Sequence, residues 1–276
     1  WGYMNSLSKP SCIKKVAKSK GGIFKKILIL LVLAALAFAG FWAYENIFKS
    51  NVHLNGKKFT YIYIKTGATF NDLLDELYSQ NIIDDHESFE WMAKEMDLPE
   101  RINSGKYRID AKMSNRSIAK MIINGKQEKV KLSFNSQIRT KEQFIEYVSD
   151  KLEIESAELE DYCSNEDILS EQFGLNSENF MCLIVPETYE VNWTTHIEDL
   201  FPLIEKSYSA VWTKAKKDKA KSIGYSVSEV VTIASIVQSE SGIKTEQQKI
   251  AGVYINRLKQ DMKLQADPTV VFANGN

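Results

Sequence analysis

The sequence predicts an α+β protein with three parts: a single N-terminal transmembrane helix, a small α+β unit, and a larger mixed α/β unit. Three observations carry this. Residues 27–44 form an uncharged apolar run that only basic residues precede. Stretches such as Phe59-Thr60-Tyr61-Ile62-Tyr63-Ile64 are rich in aromatic and β-branched residues at the two-residue period of a strand. Between and after them, apolar residues recur three and four apart, the spacing of helices that bury one face.

The N-terminus is the clearest element. Residues 1–26 hold Lys9, Lys14, Lys15, Lys18, Lys20, Lys25 and Lys26 and no acidic residue. The eighteen residues from Ile27 to Tyr44 span roughly 27 Å as a helix at ~1.5 Å each, close to the ~30 Å hydrocarbon core once Phe24 and Ile47 are added. The run is longer than the apolar part of a usual cleaved signal, and no convincing small-residue cleavage site precedes a mature start. An uncleaved anchor over residues 27–46 is therefore expected. The positive-inside rule keeps the 1–26 tail cytoplasmic, exports everything after Tyr44, and puts Trp42 and Tyr44 in the outer aromatic belt.

Removing those seven lysines leaves 28 basic against 36 acidic residues, a formal charge of −8 on the exported part. Nucleic acid needs Lys and Arg to displace its counterions, so that class of partner is excluded. His53, His86 and His196 are scattered, and no metal-ligand spacing occurs, so neither a metal nor another cofactor is expected. Cys163 and Cys182 would face an oxidising compartment, where a bridge is permitted but not implied. Cys182 lies in the apolar run from Met181 to Val185 and reads more simply as a buried thiol.

In chain order, the strand from Phe59 is closed by Gly67. Thr69 to Gln80 places Phe70, Leu73, Leu74 and Leu77 on one helical face, and His86 to Met96 does the same with Phe89, Ala93 and Met96. Gly105 to Ile109 reads as a second strand, Ser117 to Ile123 as a helix, and Gly125 as its stop. These elements make one small unit, residues 47–130. Lys129 to Phe134 alternates again and opens the second unit, residues 131–276, with helices expected over Lys141 to Leu152 and Ser156 to Cys163. Phe180 to Val185 reads as a buried strand ending at Pro186, and Ile197 to Lys221 as one long helix with a basic, solvated end.

The last stretch carries the chemistry. Ser226 and Glu229 have the spacing of a capping box, and the run from Val227 to Val237 is apolar nearly all round, which predicts a helix buried inside a domain. Glu240 lies three, four and seven residues after Val237, Ile236 and Ile233 and continues their face. Apolar surroundings and the negative end of the helix would both favour its protonated form, as a general acid requires. In the next helix Thr245 and Gln248 have capping-box spacing, with Ile250, Ala251, Val253, Tyr254 and Leu258 as a core stripe and Asn256 and Arg257 off it. Asp267 before Pro268 reads as a turn.

Four ordered blocks make the chain resemble a known family: Pro186-Glu187-Thr188-Tyr189, Ala234-Ser235-Ile236-Val237 followed by Glu240, Ala251-Gly252-Val253-Tyr254-Ile255-Asn256-Arg257-Leu258, and Leu264-Gln265-Ala266-Asp267-Pro268-Thr269-Val270. They resemble the endolytic murein transglycosylases of the MltG type, or YceG-like family. The resemblance implies a LysM-like unit over residues 47–130, ending at Gly105-Lys106-Tyr107 and the helix after it, and a catalytic domain over residues 131–276. It also implies residence in the bacterial cytoplasmic membrane and, as partners, peptidoglycan glycan strands and cell-wall synthases. Relatives often carry a second Glu at the position of Gln238, and many have Tyr at that of Phe272. Because the family's catalytic domain extends further, the chain is expected to be C-terminally truncated at Asn276.

What the resemblance implies chemically is a lyase. Glu240 matches the catalytic glutamate: it would protonate the glycosidic oxygen between N-acetylmuramic acid and N-acetylglucosamine, then take the proton of the muramic C6 hydroxyl. Closure of that oxygen on C1 leaves a 1,6-anhydro end and consumes no water. One proton carrier suffices, whereas an ordinary glycosidase needs two carboxyl groups. Gln238, Asn256, Arg257, Gln265, Asp267, Thr269 and the edge Glu187, Thr188 and Tyr189 are the candidates for holding sugar. The alternative is a non-catalytic, membrane-tethered peptidoglycan-binding or scaffold protein, with Tyr61, Tyr63, Tyr78 and Tyr107 as stacking platforms.

Overall fold

The computed structural model describes residues 21–274; the tail from Lys9 to Lys20, with Cys12, lies outside the described residues. Helix α1 (Gly21–Ile47) contains the window Lys25–Trp42, long and apolar enough to cross a membrane, with mean hydropathy 2.0 and no part of it buried. Leu28, Leu30, Leu33 and Phe38 all stand exposed on it. At its end Trp42 meets Trp91 of the first unit edge-on, ring centres 5.2 Å apart.

In that unit β1 (Phe59–Ile64) pairs antiparallel with β2 (Gly105–Asp110), with Ile62 opposite Tyr107. Ile62, Ile64, Tyr107 and Ile109 point to one side, as period two requires, and are buried. On them pack α2 (Phe70–Ser79) through Leu73 and Leu77, α3 (His86–Glu95) through Phe89 and Ala93, and α4 (Asn115–Ile123) through Ile118 and Ile122. Thr69, Asp85 and Ser114 cap these helices by accepting from the backbone three residues on. Helix α4 starts two residues before the expected Ser117 because Asn115 is buried and bonded: it accepts from Asn51 (2.9 Å) and donates to Ser88 (3.0 Å).

A separate core forms the second unit. Strand β3 (Val130–Phe134) pairs antiparallel with β4 (Glu187–Val191), with Leu132 opposite Tyr189. Helices α5 (Lys141–Lys151), α6 (Ser156–Cys163) and α8 (Ile197–Val211) bury side chains in the same core, and the single turn α7 (Glu166–Ile168) follows α6. Thr66 of the first unit donates its backbone N–H and its hydroxyl to Glu153 of the second, at 2.8 and 2.7 Å.

Two expectations fail here. Phe180 to Val185 is no strand: Ser177–Leu183 is a 3-10 turn, with Phe180, Cys182 and Leu183 buried. Asn176 and Asn179 cap each other reciprocally and close a helical turn, while the strand begins after Pro186. Nor is Ile197 to Lys221 one helix. The apolar stripe ends at Tyr208, the chain leaves helical geometry at Trp212, and Thr213 caps a new helix, α9 (Lys214–Ser222). Cys163 and Cys182 are free buried thiols of this core, and burial pushes Cys163 up to about 12.

Helices α10 (Val227–Glu240), α11 (Lys244–Lys259) and α12 (Asp267–Ala273) follow. The Ser226 capping box is present: Ser226 Oγ accepts from Glu229 N at 3.2 Å, and Glu229 Oε2 accepts from Ser226 N at 2.7 Å. Bonds from the Ser226 backbone and hydroxyl hold the Glu229 carboxyl below its ordinary value. A carboxyl depressed in the folded state stabilises above its unfolded pKa, and that stability is lost as pH falls through the folded value. Ser226→Ala is expected to cost about 1 kcal/mol, the usual worth of a serine cap, at neutral pH, and less at an acid pH below the depressed folded value of Glu229, where its protonated carboxyl has already weakened the box. Melting both proteins at the two pH values checks this; an equal loss at both would remove Glu229 from the account.

The expected burial of α10 on all sides is not observed. Val237 alone is fully buried, Val227 and Val231 pack against the second core, and the rest of the helix is partly or wholly exposed. On α11 the Thr245 and Gln248 box is replaced: Ile243 is the cap position, and Glu246 and Gln247 bond back to Ser241 instead. Val253 and Leu258 are exposed, so Tyr254 is the one fully buried residue of that stripe. Asp267 and Pro268 do not make an isolated turn. They begin α12, where the missing N–H of proline costs nothing.

Candidate active site

Glu240 is the last residue of α10, and its side chain is exposed. The buried setting expected for it from spacing is corrected: the apolar face it continues ends at Val237, one turn earlier. The chain reverses at once. Ser241 takes an extended conformation, its hydroxyl donates to Glu246 Oε2 (2.6 Å) and accepts from Ile243 N (3.1 Å), and its carbonyl accepts from Gln247 (2.8 Å). This lock fixes the point where α10 gives way to α11.

Beneath Glu240 lies a small core of Val237, Tyr254 and Ala266, flanked by Ile233, Ile236, Ile250, Ala251 and Leu264. Tyr254 is 7% exposed, yet its hydroxyl emerges to donate to Glu240 Oε1 at 2.7 Å. Burial first, then the bond to Glu240 and its charge, push the phenol up to about 12, with Asp267 adding to the shift and Arg257 opposing it. One residue therefore links the acidic candidate to the groups of α11 and α12. Sequence reasoning placed Tyr254 in the core stripe and missed its polar end. The available signal was a hydroxyl in an otherwise aliphatic stripe, since a buried tyrosine needs a partner.

The other candidates divide. Arg257 donates to the Leu264 carbonyl and to Gln265 Oε1 (3.3 Å), tying α11 to the loop before α12. Gln265 is exposed in a left-handed conformation, φ 53°. Thr269 spends its hydroxyl on the Ala266 carbonyl at 2.7 Å and so fixes the start of α12. Asp267 is exposed at that start, within electrostatic reach of Tyr254. Gln238 on α10 and Asn256 on α11 are exposed.

Glu187, Thr188 and Tyr189 belong to β4, on the other core. Tyr189 is a buried residue of this core, its ring centre 5.6 Å from that of Phe134. Thr188 meets Ser133 across the sheet at 3.0 Å, and Glu187 accepts from Thr188 N. Of the tyrosines considered as stacking platforms, Tyr107 is buried and bonded to the Asn103 carbonyl (2.9 Å), and Tyr78 is stacked on His86. Lys106 stands over the ring of Tyr61, 4.2 Å from its centre.

This arrangement can present a carboxylate with one oxygen held and the other open to solvent, beside amide, hydroxyl and carboxylate groups on α10 to α12. Endolytic murein transglycosylases of two Streptococcus pneumoniae strains, serotype 2 D39 and R6, are each 26% identical to the chain, covering 90% of it and 50% of the relative. The endolytic murein transglycosylase of Bacillus subtilis is 37% identical over 93 residues, 33% of this chain and 26% of that one. The chain thus spans about half the length of the streptococcal relatives. A crystal structure of a YceG-like protein from Listeria monocytogenes superposes with a TM-score of 0.50 at 22% identity, over 80% of this chain and 77% of that one, which shows a shared fold. The YceG-like family profile matches residues 62–276, and on that extent the chain belongs to the YceG-like family.

Proposed function

We propose that the chain carries the active site of a membrane-anchored endolytic transglycosylase, a lyase that cuts glycan strands of peptidoglycan and leaves 1,6-anhydro-muramic ends. The observation that carries this is the solvent-open carboxylate of Glu240, anchored by Tyr254 in a chain whose relatives are named endolytic murein transglycosylases. Glu240 gives a proton to the glycosidic oxygen as the C1–O bond breaks. It then receives the C6 hydroxyl proton as O6 closes on C1, so the proton and the electron pairs balance without water. Gln238 on α10, Asn256 on α11, Gln265 in the loop before α12 and Asp267 at the start of α12 are exposed polar groups that would orient the sugars. Arg257 and Thr269 act one step back by holding the Leu264 to Asp267 loop. Full-length protein incubated with sacculi is expected to produce anhydro-muramic ends, seen by mass spectrometry; strand-bound protein with no such ends would favour the binding-only or scaffold reading.

The same reading makes residues 47–130 a LysM-like unit, supported by the order strand, helix, helix, strand and by the antiparallel pairing of β1 with β2. On the outer face of that sheet Lys106 and Arg108 lie over the rings of Tyr61 and Phe59. Those ring faces are therefore taken, which weighs against sugar stacking there as the main function.

Helix α1 is the anchor in this reading, with the lysines inside and Glu240 outside, poised to meet nascent strands and the synthases that make them. A reporter fused after Asn276 is expected to be active only on the outer side of the cytoplasmic membrane. Activity confined to the cytoplasm would reverse the topology.

A further inference from the structure

The two oxygens of a free carboxylate are equivalent, and an exposed glutamate samples many rotamers. Glu240 is exposed, but its carboxyl group is held. Its Oε1 accepts the Tyr254 hydroxyl at 2.7 Å, and the Tyr254 ring is clamped in the small core with Val237 and Ala266. That core is built from α10, α11 and the loop before α12, so the phenol is fixed relative to Arg257, Gln265 and Asp267 as well as to Glu240.

We infer that Tyr254 is a positioning residue that pins Oε1 of Glu240 and thereby assigns both proton transfers to Oε2. This rests on the transglycosylase reading of Glu240. The phenol bond is compatible with both states of the carboxyl group, because Oε1 accepts in each, more strongly as part of a carboxylate than as the carbonyl oxygen of the acid. The acid proton then sits on Oε2, leaves for the glycosidic oxygen, and is replaced there by the proton from the C6 hydroxyl. Tyr254 neither gives nor takes a proton: raised to about 12, its phenol stays protonated and remains a donor throughout. What it supplies is orientation, the removal of rotamers in which no proton-bearing oxygen faces the bond.

Tyr254→Phe keeps the ring and the small core and removes only the donor. In full-length protein acting on sacculi, kcat is expected to fall about tenfold with KM changed less than twofold, the pattern of a lost orienting hydrogen bond. A purely structural tyrosine would leave kcat at the wild-type value in this variant, and that result overturns the inference. A second measurement does not depend on activity or on the folding of Tyr254→Phe. With ring-carbon labelling, the Tyr254 phenol is expected to titrate at lower pH in Glu240→Gln than in wild type, because the neighbouring charge that raises it is gone. Unchanged titration would show that the two groups are not in contact and would equally overturn it. If Glu240→Gln itself retained full turnover, the transglycosylase assignment would fall instead; an inactive Glu240→Gln beside a fully active Tyr254→Phe would remove the positioning role alone.

Discussion

Glu240→Gln is expected to abolish formation of anhydro-muramic ends and to leave thermal melting unchanged. The amide has the shape of the acid, and its oxygen can still accept the Tyr254 hydroxyl, but it can neither donate a proton to a leaving sugar oxygen nor collect one from the C6 hydroxyl. General acid–base catalysis contributes typically ~10²–10⁴-fold. Here a single group is proposed for both halves of the exchange, so a loss of at least about 10³-fold is expected. Stability is a separate matter. Glu240 is exposed at a helix end, and surface substitutions usually change stability by no more than ~0.5 kcal/mol. Mass spectrometry of digested sacculi reads the activity, and co-sedimentation with sacculi reads binding. Full binding with no product is the expected result, whereas an equal yield of anhydro ends from the variant would sink the assignment.

Phe144→Ala is expected to destabilise the second unit strongly while leaving the first one protected. Phe144 is wholly buried, with ring centres 5.2 Å from Phe134, 5.4 Å from Phe180 and 6.4 Å from Phe201. It thus joins β3, α5, the Ser177–Leu183 turn and α8 into one core. Removing such a ring costs ~3–5 kcal/mol, against a whole stability of ~5–15 kcal/mol for a typical domain. The core around Ile62, Leu77, Phe89 and Tyr107 shares no buried residue with it, so its amides should keep their protection. Val227 and Val231 of α10 do pack on the damaged core, and loss of their seat would displace Glu240 and reduce turnover. Hydrogen exchange followed by mass spectrometry resolves the two units; equal loss of protection in both would show one cooperative body bound through the Thr66 to Glu153 bonds and the edge-on contact of Tyr63 with Trp193, ring centres 5.1 Å apart.

Phe59 to Ile64, the Ser226 box and the ends of α5 and α6 emerged in register, because alternation, capping hydroxyls and helical spacing act over a few neighbours. Phe180 to Val185 failed because a short apolar run shows burial but cannot separate a strand from a helical turn. There the reciprocal Asn176 and Asn179 cap decided for the turn. Glu240 stands out in the sequence by its place at the end of an apolar helix, but the burial that spacing predicts for it is absent, because the apolar face ends one turn earlier at Val237. Tyr254 was read as core, which its ring is, while the bond from its hydroxyl depends on how α11 crosses the end of α10.

By itself the sequence determined the apolar span, the order of the two α+β units, the Ser226 cap and, through its ordered blocks, the family. These are properties of residues close along the chain, or of composition, and they survive whatever the rest of the molecule does. Only the tertiary structure decided that β3 pairs with β4, that Tyr189 turns inward while Gln265 and Asp267 stay exposed, and that α10 lies open along most of its length. It alone placed a phenol on one oxygen of Glu240. Burial and hydrogen-bond partnership are set by groups distant in sequence, and the entropy lost in bringing them together is recovered only when a whole core closes around them.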